Sequence, residues 1–197
     1  WFYGNEYPFL SWMSRLGLKT DGSANGVTVL RQGWGVEPLT EGQAACVSTM
    51  SYNEYWVVRD AGYSPEQLTV FKYQSEGAAT LEDGLYVHEK NLSDAAFKDK
   101  MVRFVRASMK GWKYAEANPK EAAMIILDND DAGVQTEKHQ VRMMGEIAKL
   151  TAGSNGSLDP ADYERTVKVL MSGDSDPVIT KKPSGAWTNE ITNAALN

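Results

Sequence analysis

The hydrophobic pattern of this chain changes near residue 80, and this change limits the possible folds more than any other feature. Three short β-rich runs, at 27–30, 45–48 and 68–71, alternate with helical stretches before it, and one more run follows at 84–87. From residue 93 onward the apolar residues recur at helical spacing. Strands separated by helices form βαβ units, so the pattern predicts an α/β fold with a mainly parallel sheet, followed by a largely helical segment.

Helix start signals support this division. Asn5 can cap a first helix, and another helix is predicted over about residues 52–61. In the second part, Asn118-Pro119 separates a long helix from a shorter one, an apolar stripe through Met144 predicts a third, and Asp159-Pro160 starts a fourth.

The first residues, Trp1-Phe2-Tyr3-Gly4, have the pattern of a buried strand that ends in a turn. We therefore expect the chain to be cut from a longer one whose upstream residues supply further strands. In that case Phe104, Trp112 or Met144 should be more exposed than the stripe positions suggest, or should be covered by another chain, because apolar stripes normally pack on a partner element.

Composition excludes several classes of protein. Asp and Glu number 26 against 20 Lys and Arg, which gives a net charge of -6 and argues against a nucleic-acid partner. The single cysteine, Cys46, rules out an internal disulfide and a cysteine-based zinc cluster. No run of about 18 apolar residues is present, so no membrane span is predicted.

Catalytic and metal-binding patterns are also missing from the sequence. No nucleophile stands beside an obvious base, and no phosphate-binding glycine motif occurs. The acidic run that begins at Asp128 lacks the closing Glu of a calcium loop. His88 has no ligand-spaced partner, and His139 lies in a charged helical stretch that predicts a solvated side chain. We therefore predict no catalytic residue, no metal and no cofactor.

Two strand-to-helix junctions carry candidate ligand-binding residues. The first holds Asn5, Glu6 and Tyr7, where backbone N–H groups at a helix start favour a polar ligand, although an ordinary capped helix start has the same pattern. The second, from Thr49 to Trp56, combines aromatic rings with hydrogen-bonding side chains at the carboxyl end of a predicted strand. Its alternative is a capping box formed by Ser51 and Glu54.

Two loops add weaker candidates. Trp34 lies between Gly33 and Gly35, which would let the backbone approach a ligand, but a plain turn is the favoured alternative. Glu76 follows the predicted strand at 68–71 and precedes Gly77, which could serve as a hinge.

Several motifs in order resemble one family. They are Gly4-Asn5-Glu6-Tyr7-Pro8-Phe9-Leu10, Leu39-Thr40-Glu41-Gly42-Gln43-Ala44, Thr49-x-x-Tyr52-Asn53-Glu54, and the helical stretch from Phe104 to Trp112 with Ala117-Asn118-Pro119 after it. This set resembles the NMT1/THI5-like solute-binding proteins of bacterial ABC importers, over residues 1 to about 150.

The resemblance implies a type II periplasmic-binding-protein-like fold with two α/β lobes. Residues 1–86 would form the second lobe, and residues 87–197 the mostly helical return to the first lobe, whose initial half would be absent. It also implies a small organic solute, such as a pyrimidine precursor of thiamine or another amino-bearing heterocycle, bound in a cleft. Cleft residues carried over from the family are Asn5, Glu6, Tyr7, Tyr52, Asn53 and Glu54. An ABC permease would be the membrane partner, and the protein would be periplasmic or lipid-anchored outside the cell.

Two other functions stay open on the same resemblance. The fungal branch of the family consists of pyrimidine synthases, whose cysteine-rich metal motif has no match here because Cys46 is the only cysteine. A sensory ligand-binding domain is the third possibility. A binding component that is not an enzyme is the favoured reading.

Overall fold

Helices dominate the structure, a computed structural model that describes residues 5–172 and 177–196. About half of these described residues are helical. The eight α-helices found among them are α1 Glu6–Arg15, α2 Glu37–Thr40, α3 Glu54–Asp60, α4 Ala95–Ala117, α5 Pro119–Asp128, α6 Glu137–Thr151, α7 Pro160–Met171 and α8 Glu190–Leu196. Two short 3-10 helices, Pro65–Gln67 and Glu89–Ser93, lie between them.

The helices begin where local capping chemistry allows. At the start of α4, Asp94 Oδ1 accepts hydrogen bonds from the N–H groups of Ala96 (2.8 Å) and Phe97 (3.3 Å). At the start of α7, Asp159 Oδ1 accepts from the N–H of Ala161 at 2.7 Å. Such caps satisfy backbone donors that a helix leaves unpaired in its first turn. The helices predicted for the second part of the chain are therefore confirmed.

The predicted α/β fold with a mainly parallel sheet is wrong, and with it the type II periplasmic-binding-protein-like architecture. No β-strand occurs within residues 5–172 and 177–196. The four runs predicted as strands leave apolar side chains exposed, for example Leu30, Phe71 and Tyr86. A strand forms only where its backbone pairs with a neighbour, and β-branched residues favour strands mainly through packing on such a sheet. These runs have the composition of strands, but no other described segment pairs with them as a strand.

One buried side chain makes the bonds that a neighbouring strand would otherwise make. Gln32 is only 7% exposed. Its Oε1 accepts from the N–H of Ser48 and its Nε2 donates to the carbonyl of Ser48, both at 2.8 Å. The Nε2 group also donates to the carbonyl of Gly35 at 3.2 Å. Because buried polar groups need partners, this amide holds the two segments together without a sheet.

Internal contacts divide the chain into two compact units. The first contains the described part of Trp1–Thr49, Val58–Gly84 and the described part of Leu158–Ala186. Inside it, α1 meets α7 through the buried hydroxyl of Ser11, which donates to the carbonyl of Val169 at 3.0 Å.

The second unit contains Met50–Val57, Leu85–Ser157 and the described part of Trp187–Asn197. Its buried core lies between α5 and α6 and consists of Ala122, Ala123 and Met144. The small alanine side chains let the two helices approach closely, and Met144 fills the remaining space. Burial of a side chain of this size stabilises a fold by about 1.5–3 kcal/mol.

The long helix α4 packs on α8 within the second unit. The Arg106 guanidinium donates to the carbonyls of Ala195 (2.9 Å) and Ala194 (3.1 Å) near the end of α8. Elsewhere on α4, Phe104 is 53% exposed and Trp112 is 45% exposed. Two of the three stripe residues are therefore exposed, as expected, whereas Met144 is buried.

Three further expectations concern residues 1–4, the division of the chain and a membrane span. The strand end predicted at residues 1–4 lies outside the described residues. The division of the chain at residue 86 stays a prediction. Among the helices of the described residues, none combines the length and the apolar character that a membrane crossing requires.

Candidate functional site

The clearest polar cluster of the second unit forms where the chain enters α3. Residues 51–53 make a turn, and Glu54 is the first residue of the helix. The Glu54 side chain is directed inward and is 6% exposed. Its Oε2 accepts from the N–H of Met50 at 2.8 Å, and its Oε1 accepts from Asn53 Nδ2 at 3.1 Å. Two residues predicted for the site, Asn53 and Glu54, are thus joined directly.

This geometry differs from the capping box that Ser51 and Glu54 could have formed. In a capping box Ser51 would be the N-cap and Glu54 the third helical residue. Here α3 begins at Glu54, and the carboxylate accepts from Met50 instead. The carboxylate therefore fixes the turn that precedes the helix. Tyr52, the third predicted residue of this segment, lies half-buried in the same turn.

Helix α6 supplies a partner that the sequence did not indicate. His139 Nε2 lies 2.8 Å from Asn53 Oδ1, and the His139 side chain is half-buried. The prediction of a solvated His139 is therefore wrong. Its position in α6 is set locally, because Thr136 caps the helix and accepts from the N–H of His139 at 3.3 Å. In the sequence, Thr136 could indicate the start of α6, but it gives no sign of a contact between His139 and Asn53.

Aromatic and cationic groups border the cluster. The guanidinium carbon of Arg142 lies 4.9 Å from the ring centre of Trp56, within the range of a cation–π interaction. The ring of Tyr55 meets that of Trp56 edge to face at 5.2 Å. Trp56 Nε1 is buried and has no hydrogen-bond partner among the described residues. An unpaired buried donor costs about 1–3 kcal/mol, so a polar group that reached it would be stabilised.

The residues predicted at the start of α1 belong to the first unit. Asn5 precedes the helix but makes no capping bond with its side chain, so the predicted cap is wrong in its detail. Glu6 is half-buried, and Tyr7 is 36% exposed. Their proposed contact with a ligand stays a prediction.

Trp34 and Glu76 lie in two loops of the first unit. Trp34 is 75% exposed. Glu76 lies in a turn that ends at Gly77, whose φ of 65° is a backbone conformation that favours glycine. Arg15 Nη1 donates to the carbonyl of Gly77 at 2.8 Å, so this turn is tied to α1. A ligand-binding role for either residue, and a hinge at Gly77, stay predictions.

Tyr73, at the start of the same turn, has a perturbed phenol. Its ring packs on Trp12, with ring centres 6.3 Å apart. Burial raises the pKa of the Tyr73 phenol, and a hydrogen bond with Ser48 only partly offsets this effect. The phenol is therefore a neutral hydrogen-bonding group over the physiological range.

Neither a metal-binding group nor the main surface cavity of the described residues contains a predicted ligand-binding residue. No group of three or more His, Cys, Asp or Glu side chains could hold a metal ion in this part of the chain. A surface cavity of about 390 Å³ in the first unit is lined by Glu164, Val167, Lys168, Met171, Ser172 and Lys182. An ion pair of 2.6 Å between Glu164 and Lys182 already uses two of its three charged groups.

Comparison with known proteins places the Asn53–Glu54 pair in a family context. A family model described as NMT1/THI5 like matches residues 10–122, which is more than half of the chain. The matched range includes Asn53 and Glu54 and ends before His139. No curated protein and no solved structure matches the chain.

Proposed function

We propose that this chain, which belongs to the NMT1/THI5-like family, captures a small organic solute at Glu54. Membership of that family fits a solute-binding or related role. The finer proposal is a binding component of an ABC importer whose solute carries an amino group on a heterocycle, such as a pyrimidine precursor of thiamine. The site is the cluster of the second unit that contains Asn53, Glu54 and Trp56.

The observation that carries this proposal is a buried carboxylate with neutral partners. Glu54 is 6% exposed and accepts from one backbone N–H and one amide. None of the ion pairs found between described residues includes it. Buried charges are normally paired, because the loss of hydration costs several kcal/mol per ion. A ligand that brings hydrogen-bond donors or positive charge would supply the missing compensation.

The geometry of the carboxylate favours an amino group as this donor. An ionised carboxylate has about four lone-pair sites, and protein donors use two of them here. An amino group on a ring can donate to a remaining site, and hydrogen bonds with charged groups contribute about 1.5–3 kcal/mol. The unpaired Trp56 Nε1, two residues further along the chain, is another buried donor of the same unit.

Calorimetric titration tests this proposal. A panel of 4-aminopyrimidines, including the thiamine precursor, is titrated into the wild-type chain, Glu54→Gln and Glu137→Gln. Glu137 is an exposed residue of the same unit and serves as the matched control. We expect Glu54→Gln to weaken binding roughly ten- to a hundredfold and Glu137→Gln to leave it unchanged. Equal affinities of all three proteins would contradict the assignment of Glu54, provided that unfolding curves show each variant to be folded.

The transport role and the absence of catalysis need separate measurements. We propose that the bound solute is released unchanged to a permease and that the protein works in the periplasm or anchored outside the cell. Incubation with each panel compound, followed by mass spectrometry, should return the compound intact. Multiple-turnover conversion would favour the pyrimidine synthase instead. Loss of uptake of labelled solute on deletion of the gene, with the protein found in the periplasmic or membrane fraction, would support the importer.

A further inference from the structure

Four groups in the second unit form one continuous hydrogen-bonded chain. The N–H of Met50 donates to Glu54 Oε2 (2.8 Å), Asn53 Nδ2 donates to Glu54 Oε1 (3.1 Å), and Asn53 Oδ1 lies 2.8 Å from His139 Nε2. Its direction is fixed at one end, because an ionised carboxylate only accepts. Asn53 must therefore present its NH₂ group to Glu54 and its oxygen to His139. It follows that His139 Nε2 carries a hydrogen and donates.

We infer that His139 is a positioning residue of the Glu54 site. Its Nε2–H holds the Asn53 amide in the one orientation in which the amide NH₂ faces the carboxylate. If the amide turned over, its oxygen would face Glu54 Oε1 and its NH₂ group would face the His139 donor. The contact between the two oxygens would then be unfavourable, and His139 Nε2 would have to give up its hydrogen in order to accept from the amide. The bond from His139 thus acts together with the Glu54 carboxylate to fix which donor and acceptor atoms the site presents.

The ring of His139 is held well enough to act in this way. It lies in the first turn of α6, where Thr136 caps the helix through the N–H of His139 itself. The following residue, Gln140, is 3% exposed and donates to Gln135 Oε1 at 2.6 Å, so the helix start is anchored on both sides. One turn further on, Arg142 lies over the ring of Trp56. Two separate contacts therefore join α6 to the segment that carries Asn53 and Glu54.

The consequence for recognition rests on the proposed function. Asn53 uses one amide hydrogen on Glu54 and keeps the other, so the pair can offer a donor beside a carboxylate acceptor. This arrangement matches a ligand edge on which an amino group stands next to a ring nitrogen, as in 4-aminopyrimidines. Loss of His139 would remove one of the two contacts that hold the amide, so the amide would be less well ordered and the match would weaken, while Glu54 itself would stay in place.

Nuclear magnetic resonance tests the positioning without any ligand. The ¹⁵N chemical shifts of the two ring nitrogens show which of them carries the hydrogen, and the exposed His88 provides an internal reference. We expect neutral His139 to be protonated at Nε2. We also expect the Asn53 amide hydrogens to show separate, protected signals that lose their protection in His139→Leu. His139 protonated only at Nδ1, or unchanged Asn53 signals in His139→Leu, would overturn the inference even if no panel compound binds.

Two variants then test the effect on binding. His139→Leu removes the donor, whereas His139→Gln keeps an N–H group at the end of the side chain. We expect affinity for the best 4-aminopyrimidine to fall about tenfold in His139→Leu and to be largely restored in His139→Gln. Equal losses in both variants, or no loss in His139→Leu, would overturn the positioning role while leaving the binding function standing. Failure of the wild-type chain to bind any compound would instead overturn the proposed function.

Discussion

Asn53→Asp turns the donor that faces Glu54 into a second carboxylate, while it keeps the oxygen that faces His139. In the structure Asn53 Nδ2 lies 3.1 Å from Glu54 Oε1. Two unit charges at that distance repel each other by about 5 kcal/mol at an effective dielectric constant near 20. Asn53 is half-buried, so solvent screens part of this repulsion. We therefore expect the free energy of unfolding to fall by about 2–4 kcal/mol at about pH 8.

Urea unfolding followed by far-UV circular dichroism measures this change. With a slope of about 2 kcal/mol/M, the midpoint should fall by roughly 1–2 M. At about pH 4 the difference should shrink, because protonation of the introduced aspartate removes the like-charge contact.

Asn155→Asp provides the matched control for this substitution. Asn155 is exposed, and its Oδ1 accepts from the N–H of Ser157 at 2.9 Å, a bond that Asp can also make. Its effect should stay within about 0.5 kcal/mol. If Asn53→Asp were as stable as the wild type at the higher pH, or lost the same stability at both pH values, Asn53 could not face Glu54 as described.

Three further substitutions test other parts of the structure. Asp94→Ala should lower the free energy of unfolding by about 1 kcal/mol in urea titrations, because it removes the N-cap of α4, and Asp94→Ser should recover most of the loss. Met144→Ala should cost about 2–5 kcal/mol by leaving a cavity in the core, whereas Met144→Leu should cost less than about 1.5 kcal/mol. The raised pKa of the Tyr73 phenol means that the unfolded chain loses this proton first, so stability falls as the pH rises above the ordinary tyrosine value of 10.0. The melting temperature of Tyr73→Phe should therefore drop less than that of the wild type between about pH 9 and pH 11, and an equal drop would count against the burial of that phenol.

The helices could be predicted because their causes are local in sequence. Asp94 and Asp159 bond to backbone groups two or three residues away, and Pro119 separates α4 from α5 by its own ring geometry. A strand, in contrast, depends on a partner whose position the sequence does not state. The runs at 27–30 and 84–87 have strand composition, yet no strand pairs with them within residues 5–172 and 177–196. The Gln32–Ser48 bonds have no sequence pattern that would predict them.

In the candidate site, too, local features could be predicted and the long-range contact could not. Asn53 and Glu54 are neighbours in sequence, so their joint role could be predicted from one short segment. His139 was missed because its contact with Asn53 spans 86 positions and because Glu137 and Lys138 beside it indicate a solvated helix. Burial of a single ring on a charged helix depends on how α6 packs, and the order of residues along α6 does not reveal this.

The most direct test of the central claim compares two ligands on the wild-type chain. The claim is that the Glu54 carboxylate accepts a hydrogen bond from the amino group of a bound heterocycle. Calorimetric titration would give the Kd of the tightest 4-aminopyrimidine and of its analogue with a methyl group in place of the amino group. We expect the methyl compound to bind roughly ten- to a hundredfold more weakly, because one hydrogen bond with a charged acceptor is lost. Equal Kd values for the two compounds, or no binding of either, would contradict the claim.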